Sequence, residues 1–176
     1  MCEFALPNKE ISYVYSKEIL SKFENVIPPT AAIAIQEAIY MMDIPKLQNK
    51  LKTFLLQTIS FHDASNEAFY HGLILGFCAM LDHQYHITSN REAGNGRFDI
   101  QMLPMNKKLP GILIELKAGK DCTEEQLDEL AETALKQIND RQYHVEMSAQ
   151  GVKEILQYGI SFSGKNASVK AEVRKM

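Results

Sequence analysis

Three side chains combine the residue types and spacing needed to hold a cation and activate water: Asp99, Glu115 and Lys117. Alternate side chains of a β-strand share a face, so Glu115 and Lys117 stand together if residues 111–118 form a strand. The same rule places Asp99 on the face of Arg97. If the two strands pair as a hairpin, these polar faces meet across the sheet.

The apolar residues between these charges predict that the strands are buried. Alternation places Phe98, Ile100 and Met102 together on the core face of the first strand. Charged groups in such strands are costly unless they are paired or bound to a cation. A structural ion pair is the alternative, but two carboxylates and one ammonium leave a negative charge that a divalent cation would neutralise. Mg²⁺ takes oxygen ligands and commonly binds one or two carboxylates together with substrate phosphates. We therefore expect Asp99 and Glu115 to bind Mg²⁺ or Mn²⁺.

The elements that position these residues follow from the hydrophobic periodicity and from capping and turn residues. Residues 1–60 predict a helical segment, with helices over residues 9–23, 30–42 and 44–58. The remainder, residues 61–176, predicts one domain in the order helix, three strands, helix, two strands. Its helices are expected at residues 66–81 and 124–140, and its strands at residues 85–90, 97–103, 111–118, 156–163 and 168–173. This order predicts an α/β (α+β) fold with a mixed sheet flanked by helices.

Two polar residues interrupt the apolar helix at residues 66–81. Glu67 lies in its first turn, where the helix dipole favours a carboxylate, and the alternative is a contact with the site. His71 lies one turn later on the same face. A lone histidine is more often a packed or surface residue than a functional one, so His71 is not assigned a role.

Composition restricts the functional classes. The formal charge of −3 argues against binding nucleic acid by bulk basicity, although a local basic strip from Lys107, Lys108 and Lys120 remains open beside solvated surface charge. The cysteines lack zinc spacing and do not indicate a disulfide framework. No signal-like or membrane-spanning run is present. We expect a cytoplasmic protein that does not enter membranes.

The motifs resemble a known superfamily. Asp99, a gap of 15 residues and then Glu115-Leu116-Lys117 are similar to the D-(x)n-ExK core of the PD-(D/E)XK nucleases. Their restriction-endonuclease-like αβββαβ order also matches residues 65–163. The closer resemblance is to the nuclease-like domain at the C-terminal end of bacterial AAA-ATPase-like proteins. It rests on segments spread over most of the chain, among them Leu6-Pro7-Asn8-Lys9-Glu10, Tyr70-His71-Gly72, Gly96-Arg97-Phe98-Asp99 and Ala134-Leu135-Lys136-Gln137-Ile138.

The resemblance implies a role for each matching residue. Asp99 and Glu115 would be metal ligands, Lys117 would orient or deprotonate the attacking water, and Glu67 would be an accessory acid. Gln137 resembles the glutamine on the second helix of the superfamily. Two departures are visible. Phe98 replaces the proline before the aspartate, and Tyr143 follows Gln137 by six residues instead of four, which leaves its role open.

The expected function is metal-dependent hydrolysis of phosphodiester bonds in nucleic acid, with DNA the first expectation. Arg97, Lys107, Lys108 and Lys120 would hold the strand through its phosphates. The resemblance also implies an AAA-ATPase-like partner domain, which this chain lacks, so we expect a separated domain, the product of a truncated gene or a part excised from a longer protein. Two alternatives remain: an inactive binding module of the same fold, and a helical docking protein acting through residues 1–60.

Overall fold

A computed structural model describes residues 29–58, 67–79, 81, 83–93 and 96–176. The helices are α1 (Pro29–Tyr40), α2 (Ile44–Thr58), α3 (Glu67–Ala79), α4 (Glu124–Asp140) and α5 (His144–Ala149). The strands are β1 (Tyr85–Ala93), β2 (Gly96–Pro104), β3 (Gly111–Ala118), β4 (Glu154–Ser163) and β5 (Asn166–Lys175). The predicted helix over residues 9–23 and the domain boundary at residue 60 lie outside the described residues. No helix in the described part is long and apolar enough to cross a bilayer.

The five strands form one mixed sheet in the order β1-β2-β3-β4-β5. The first three strands make an antiparallel meander, β3 and β4 are parallel, and β5 is antiparallel to β4. Parallel neighbours need a crossover, which α4 and α5 supply. The predicted α+β class with a mixed sheet and flanking helices is therefore confirmed, in the form of a restriction-endonuclease-like fold. The short helix α5 was not predicted, because six residues are too few for a periodic pattern.

Helices cover both faces of the sheet. Apolar residues of α1, α2 and α3 pack with Ile100, Ile114 and Tyr158 in one cluster, so the first two helices share a core with the sheet. On the opposite face, α4 and α5 pack over a smaller cluster that includes Leu113 and Ile138. The site strands β2 and β3 are consequently enclosed between two helical layers, which leaves little water around a charge placed within them.

The predicted alternation along β2 is wrong at Phe98. Ile100 and Met102 face the larger cluster as expected, whereas Phe98 lies in the smaller cluster, with its ring 6.1 Å from that of Tyr143. The regular pleat does not continue through the intervening residue, Asp99. On the neighbouring strand, Asn90 has a φ of 52° and interrupts the pairing between the flanking residues. Strict period-two reasoning cannot detect such a break.

The contact between α4 and the sheet depends on a glycine. Thr123 caps α4 as predicted, accepting a hydrogen bond from the Gln126 N–H at 3.3 Å. Farther along, α4 lies directly on Gly159 of β4. A Cβ atom at that residue would overlap the Ala131 carbonyl oxygen and the Leu135 backbone. The helix can approach this closely only because residue 159 has no side chain.

Gly159→Ala is expected to destabilise the protein by about 1 to 3 kcal/mol, because α4 must move away from the sheet. On the usual scaling for a chain of this size, the melting temperature falls by about 2 to 4 °C per kcal/mol. Gly72→Ala is the matched control. Nothing lies within 4 Å of a Cβ at exposed Gly72, which sits within a helix, so alanine there should stabilise by roughly 0.5 to 1 kcal/mol. Thermal denaturation tests both, and a Gly159→Ala variant as stable as wild type would contradict the close packing.

Candidate active site at the fork between two strands

The site lies where β2 and β3 stop pairing. Their ladder runs from Met102 opposite Ile112 to Ile100 opposite Ile114 and ends there. Asp99 is the next residue, and its Oδ2 accepts a hydrogen bond from the Leu116 backbone N–H at 2.7 Å. A side chain thus takes the place of the missing ladder bond. The carboxylate of Asp99 is thereby held between the two strands.

Glu115 is the buried centre of the site. Only 2% of its surface is exposed. Its Oε1 accepts hydrogen bonds from the Lys117 Nζ at 3.3 Å and from the Gln137 Nε2 of α4. Its Oε2 is buried, and no described residue donates a hydrogen bond to it. A buried carboxylate oxygen without a donor is costly and marks a place for a further ligand.

Burial raises the pKa of both carboxyl groups, Asp99 and Glu115, and the repulsion between their charges raises the pKa of Glu115 further. Burial, followed by the negative charge of Asp99, raises the pKa of Glu115 to about 7, although Lys117 and the Asp99 backbone N–H oppose this change. Burial also raises the pKa of Asp99, although the Leu116 N–H and Lys117 oppose this change. The nearby charge of Glu67 adds to the rise at Asp99. Two carboxylates that resist ionisation side by side form an environment that favours a cation.

The helix α3 contributes two residues. Glu67, at its first turn, is exposed and lies near enough to Asp99 to raise the pKa of that carboxyl group. One turn later, the His71 Nε2 lies 3.2 Å from the Asp99 carbonyl oxygen and 3.4 Å from the Asn90 Nδ2. Sequence reasoning left His71 without a role. Its position one turn after Glu67 was the available signal, but the fold was needed to place Asp99 beside it.

Gln137 and Tyr143 approach the site from the other face. Tyr143 is buried and hydrogen-bonds to Gln137. Burial, followed by the charges of Glu115 and Asp99, raises the pKa of Tyr143, and the hydrogen bond with Gln137 opposes this rise. The path of the chain between Gln137 and Tyr143 explains why a spacing of six residues still brings them together. The helix α4 ends at Asp140, and Gln142 has a φ of 57°, so the chain turns back and returns Tyr143 to Gln137.

The remaining predicted residues divide between the two ends of the sheet. Lys120 is exposed and lies three residues beyond Lys117, at the end of β3 that carries the site. Lys107 and Lys108 are exposed in the loop between β2 and β3, at the opposite end of that hairpin from Asp99. They are not brought together with the carboxylates. Arg97 lies in β2, and its side chain is outside the described part of the structure.

The donor set fits a hard divalent cation. Among the described residues, no group of three or more His, Cys, Asp or Glu side chains is placed to hold a metal ion. The candidate ligands are the two carboxylates of Asp99 and Glu115, and the buried Oε2 of Glu115 has no hydrogen-bond partner among the described residues. Two carboxylate ligands suit Mg²⁺, which keeps several waters and uses one or two carboxylates together with substrate phosphates.

Fold and site together define a restriction-endonuclease-like protein with a carboxylate pair and a lysine at its strand fork. A family model of the PD-(D/E)XK nuclease superfamily matches residues 65–172, which is more than half of the chain. The chain belongs to the PD-(D/E)XK nuclease superfamily. A search of curated proteins gave no match.

Metal-free protein is expected to lose stability as pH rises from about 4.5 to about 7. In that window the folded state holds a proton on Glu115 that the unfolded state has released, because the pKa is raised from 4.5 to about 7. The fall is on the order of 3 kcal/mol at most. Glu115→Gln should remove most of it, whereas the exposed Glu125→Gln should retain it. Urea denaturation in a chelator across this pH range is the measurement, and identical profiles for wild type and Glu115→Gln would contradict the assignment.

Proposed function

We propose that this protein is a metal-dependent nuclease that hydrolyses phosphodiester bonds at the fork between β2 and β3. The observation that carries the proposal is the Glu115 carboxylate, which is buried beside Asp99 with one oxygen lacking a donor among the described residues. A purely structural ion pair with Lys117 would use one carboxylate. The second carboxylate adds repulsion, which a bound cation relieves without a proton on either carboxyl group.

Asp99 and Glu115 would hold the cation, Mg²⁺ or Mn²⁺, which polarises a phosphoryl oxygen and lowers the pKa of a bound water when present. Lys117 contributes a positive charge beside this water and stabilises the charge that develops during in-line attack. Gln137 fixes the orientation of Glu115 through its hydrogen bond to Oε1. Tyr143 in turn bonds to Gln137, so it acts as a positioning residue. Glu67 lies nearby as an accessory acid.

The substrate proposal is nucleic acid, with DNA the first choice, held through its phosphates. Lys120 and Arg97 are the cations nearest to the site in sequence, and contacts with phosphate position a strand without reading its bases. Lys107 and Lys108 would serve only a substrate long enough to extend along the hairpin to its far end. We also propose that activity is weak when an AAA-ATPase-like partner domain is missing.

Lys117→Ala is expected to abolish cleavage of DNA in Mg²⁺ or Mn²⁺, a loss on the order of 10² to 10⁴, because the positive charge beside the attacking water is removed. An ammonium group donates no metal ligand, so metal binding should persist. Cleavage is followed with plasmid and linear DNA, with and without chelator.

Lys153→Ala is the matched control for this experiment. Lys153 is an exposed lysine just before β4, at the end of the sheet remote from Glu115. Its alanine variant should cleave at the wild-type rate. Equal rates in the Lys117→Ala and wild-type proteins would show that Lys117 has no role or that the cleavage came from a contaminant.

Metal binding is expected to stabilise the fold. A ligand present at about 100 times its dissociation constant adds roughly 2.7 kcal/mol if it binds only the native state. For this chain length the melting temperature should rise by about 5 to 10 °C. Asp99→Asn should raise the metal-free melting temperature, because the repulsion of Glu115 is removed while the amide oxygen can still accept from Leu116. The same variant should no longer respond to Mg²⁺.

Differential scanning fluorimetry in chelator, Mg²⁺ and Mn²⁺ separates this account from the binding-module alternative. If the melting temperature of the wild type does not change with either cation at millimolar concentration, and Asp99→Asn is no more stable than the wild type, the carboxylates are structural. The inactive module would then be the better description.

A further inference from the structure

The outer edge of β5 carries backbone groups that have no partner among the described residues. β5 is the last strand of the sheet. The Val169 N–H points away from β4 and donates to the Gln48 Oε1 of α2 at 3.1 Å. Because alternate N–H groups of an antiparallel strand point to the same side, those of Ala171, Val173 and Lys175 also point outward. No described residue accepts a hydrogen bond from these three amides.

The helix α2 protects only the first half of this edge. The Lys165 Nζ donates to the Leu56 carbonyl oxygen at 3.4 Å, and Val169 bonds to Gln48, so α2 runs antiparallel to β5. Followed along β5 toward its C-terminal end, α2 reaches its own first residue, Ile44, before the strand reaches its last residue. No other described element pairs with the last residues of β5, and 45% of the Val173 surface is exposed. An open strand edge is a template for another strand.

Charges of opposite sign flank Val173 on one face of β5. The Asn139 Nδ2 donates to Glu172 at 2.6 Å, and the Asn139 Oδ1 accepts from the Arg174 Nη2 at 2.7 Å. One side chain of α4 thereby fixes both charges on either side of Val173. The edge therefore presents a fixed sequence of an anion, an apolar residue and a cation.

We propose that a second copy of this chain pairs with this edge in antiparallel orientation, with the twofold axis at Val173. The outward amides of Val173 and of Ala171 and Lys175 then form the hydrogen-bonded pairs of the new ladder. Glu172 lies opposite Arg174 of the second copy, and the symmetry forms this ion pair twice. The two Val173 side chains meet on the other face. The product is one continuous sheet of ten strands across the dimer, twice the five of each copy.

The charges select this register over its neighbours. If the axis moves by one residue toward the turn between β4 and β5, Glu172 lies opposite Glu172 of the second copy. If it moves by one residue toward the end of β5, Arg174 lies opposite Arg174. Like charges directly opposite each other destabilise strand pairing. A larger shift toward the start of β5 requires Val169, whose outward N–H already bonds to Gln48. Among the open residues, the axis at Val173 is the register that places Glu172 opposite Arg174 and no charge opposite one of the same sign.

Sedimentation velocity of the full chain over a concentration series tests the proposal. A pairing confined to the end of one strand buries little surface, so half-association is expected on the order of 100 μM. Glu172→Arg should weaken association by about tenfold, because both ion pairs become repulsive. The double variant Glu172→Arg with Arg174→Glu should restore it. Val173→Pro removes a central outward N–H while leaving the bonds to β4, and should also weaken association by about tenfold or more.

Glu129→Arg on the exposed face of α4 carries the same charge change and should leave association unaltered. Three results would overturn the proposal. The wild type could stay monomeric throughout the series, the Val173→Pro variant could associate as strongly as the wild type, or the double variant could fail to recover wild-type association. Hydrogen exchange distinguishes a covered edge from an open one. A monomeric wild type with protected amides at residues 171, 173 and 175 would show that a different segment or partner occupies the edge.

Discussion

The burial of one negative charge governs the arrangement of this protein. Glu115 lies in a central strand between two helical layers, where an isolated carboxylate would be neutralised or expelled. It keeps its position because Lys117 and Gln137 bond to one of its oxygens. The second oxygen is left without a donor among the described residues, and Asp99 adds a like charge. The site is therefore electrostatically incomplete, and a divalent cation is the group that we propose completes it.

The fold supplies the geometry that this charge needs. Gly159 is the β4 neighbour of Glu115, and α4 lies directly on it. The absence of a side chain at residue 159 lets α4 lie low enough for Gln137, two residues after Leu135, to reach Glu115. Packing at Gly159 and hydrogen bonding at Glu115 are thus two consequences of one helix position. On the other face, α3 brings Glu67 and His71 to Asp99.

Much of the fold could be predicted from the sequence, since long apolar elements with clear caps and turns follow simple periodicities. The pairing of Glu115 with Lys117 followed from strand parity alone. Phe98 was misplaced because parity assumes an unbroken pleat, and the break at Asp99 depends on how β2 separates from β3. Contacts that form only when separate elements pack together were harder to predict from the sequence. Tyr143 reaches Gln137 through a left-handed residue after α4, and His71 reaches Asp99 from the separate helix α3, so neither contact has a local signature.

Calorimetric titration of Mn²⁺ at about pH 6.5, in buffers of different ionisation enthalpy, tests the central claim most directly. A carboxyl group with a pKa of about 7 must lose its proton to bind a metal, so binding should release protons into the buffer. The account predicts a single cation per chain, an apparent enthalpy that varies with the buffer, and no binding by Asp99→Ala. Absence of binding by wild type, or equal binding with no proton release in both proteins, would contradict it.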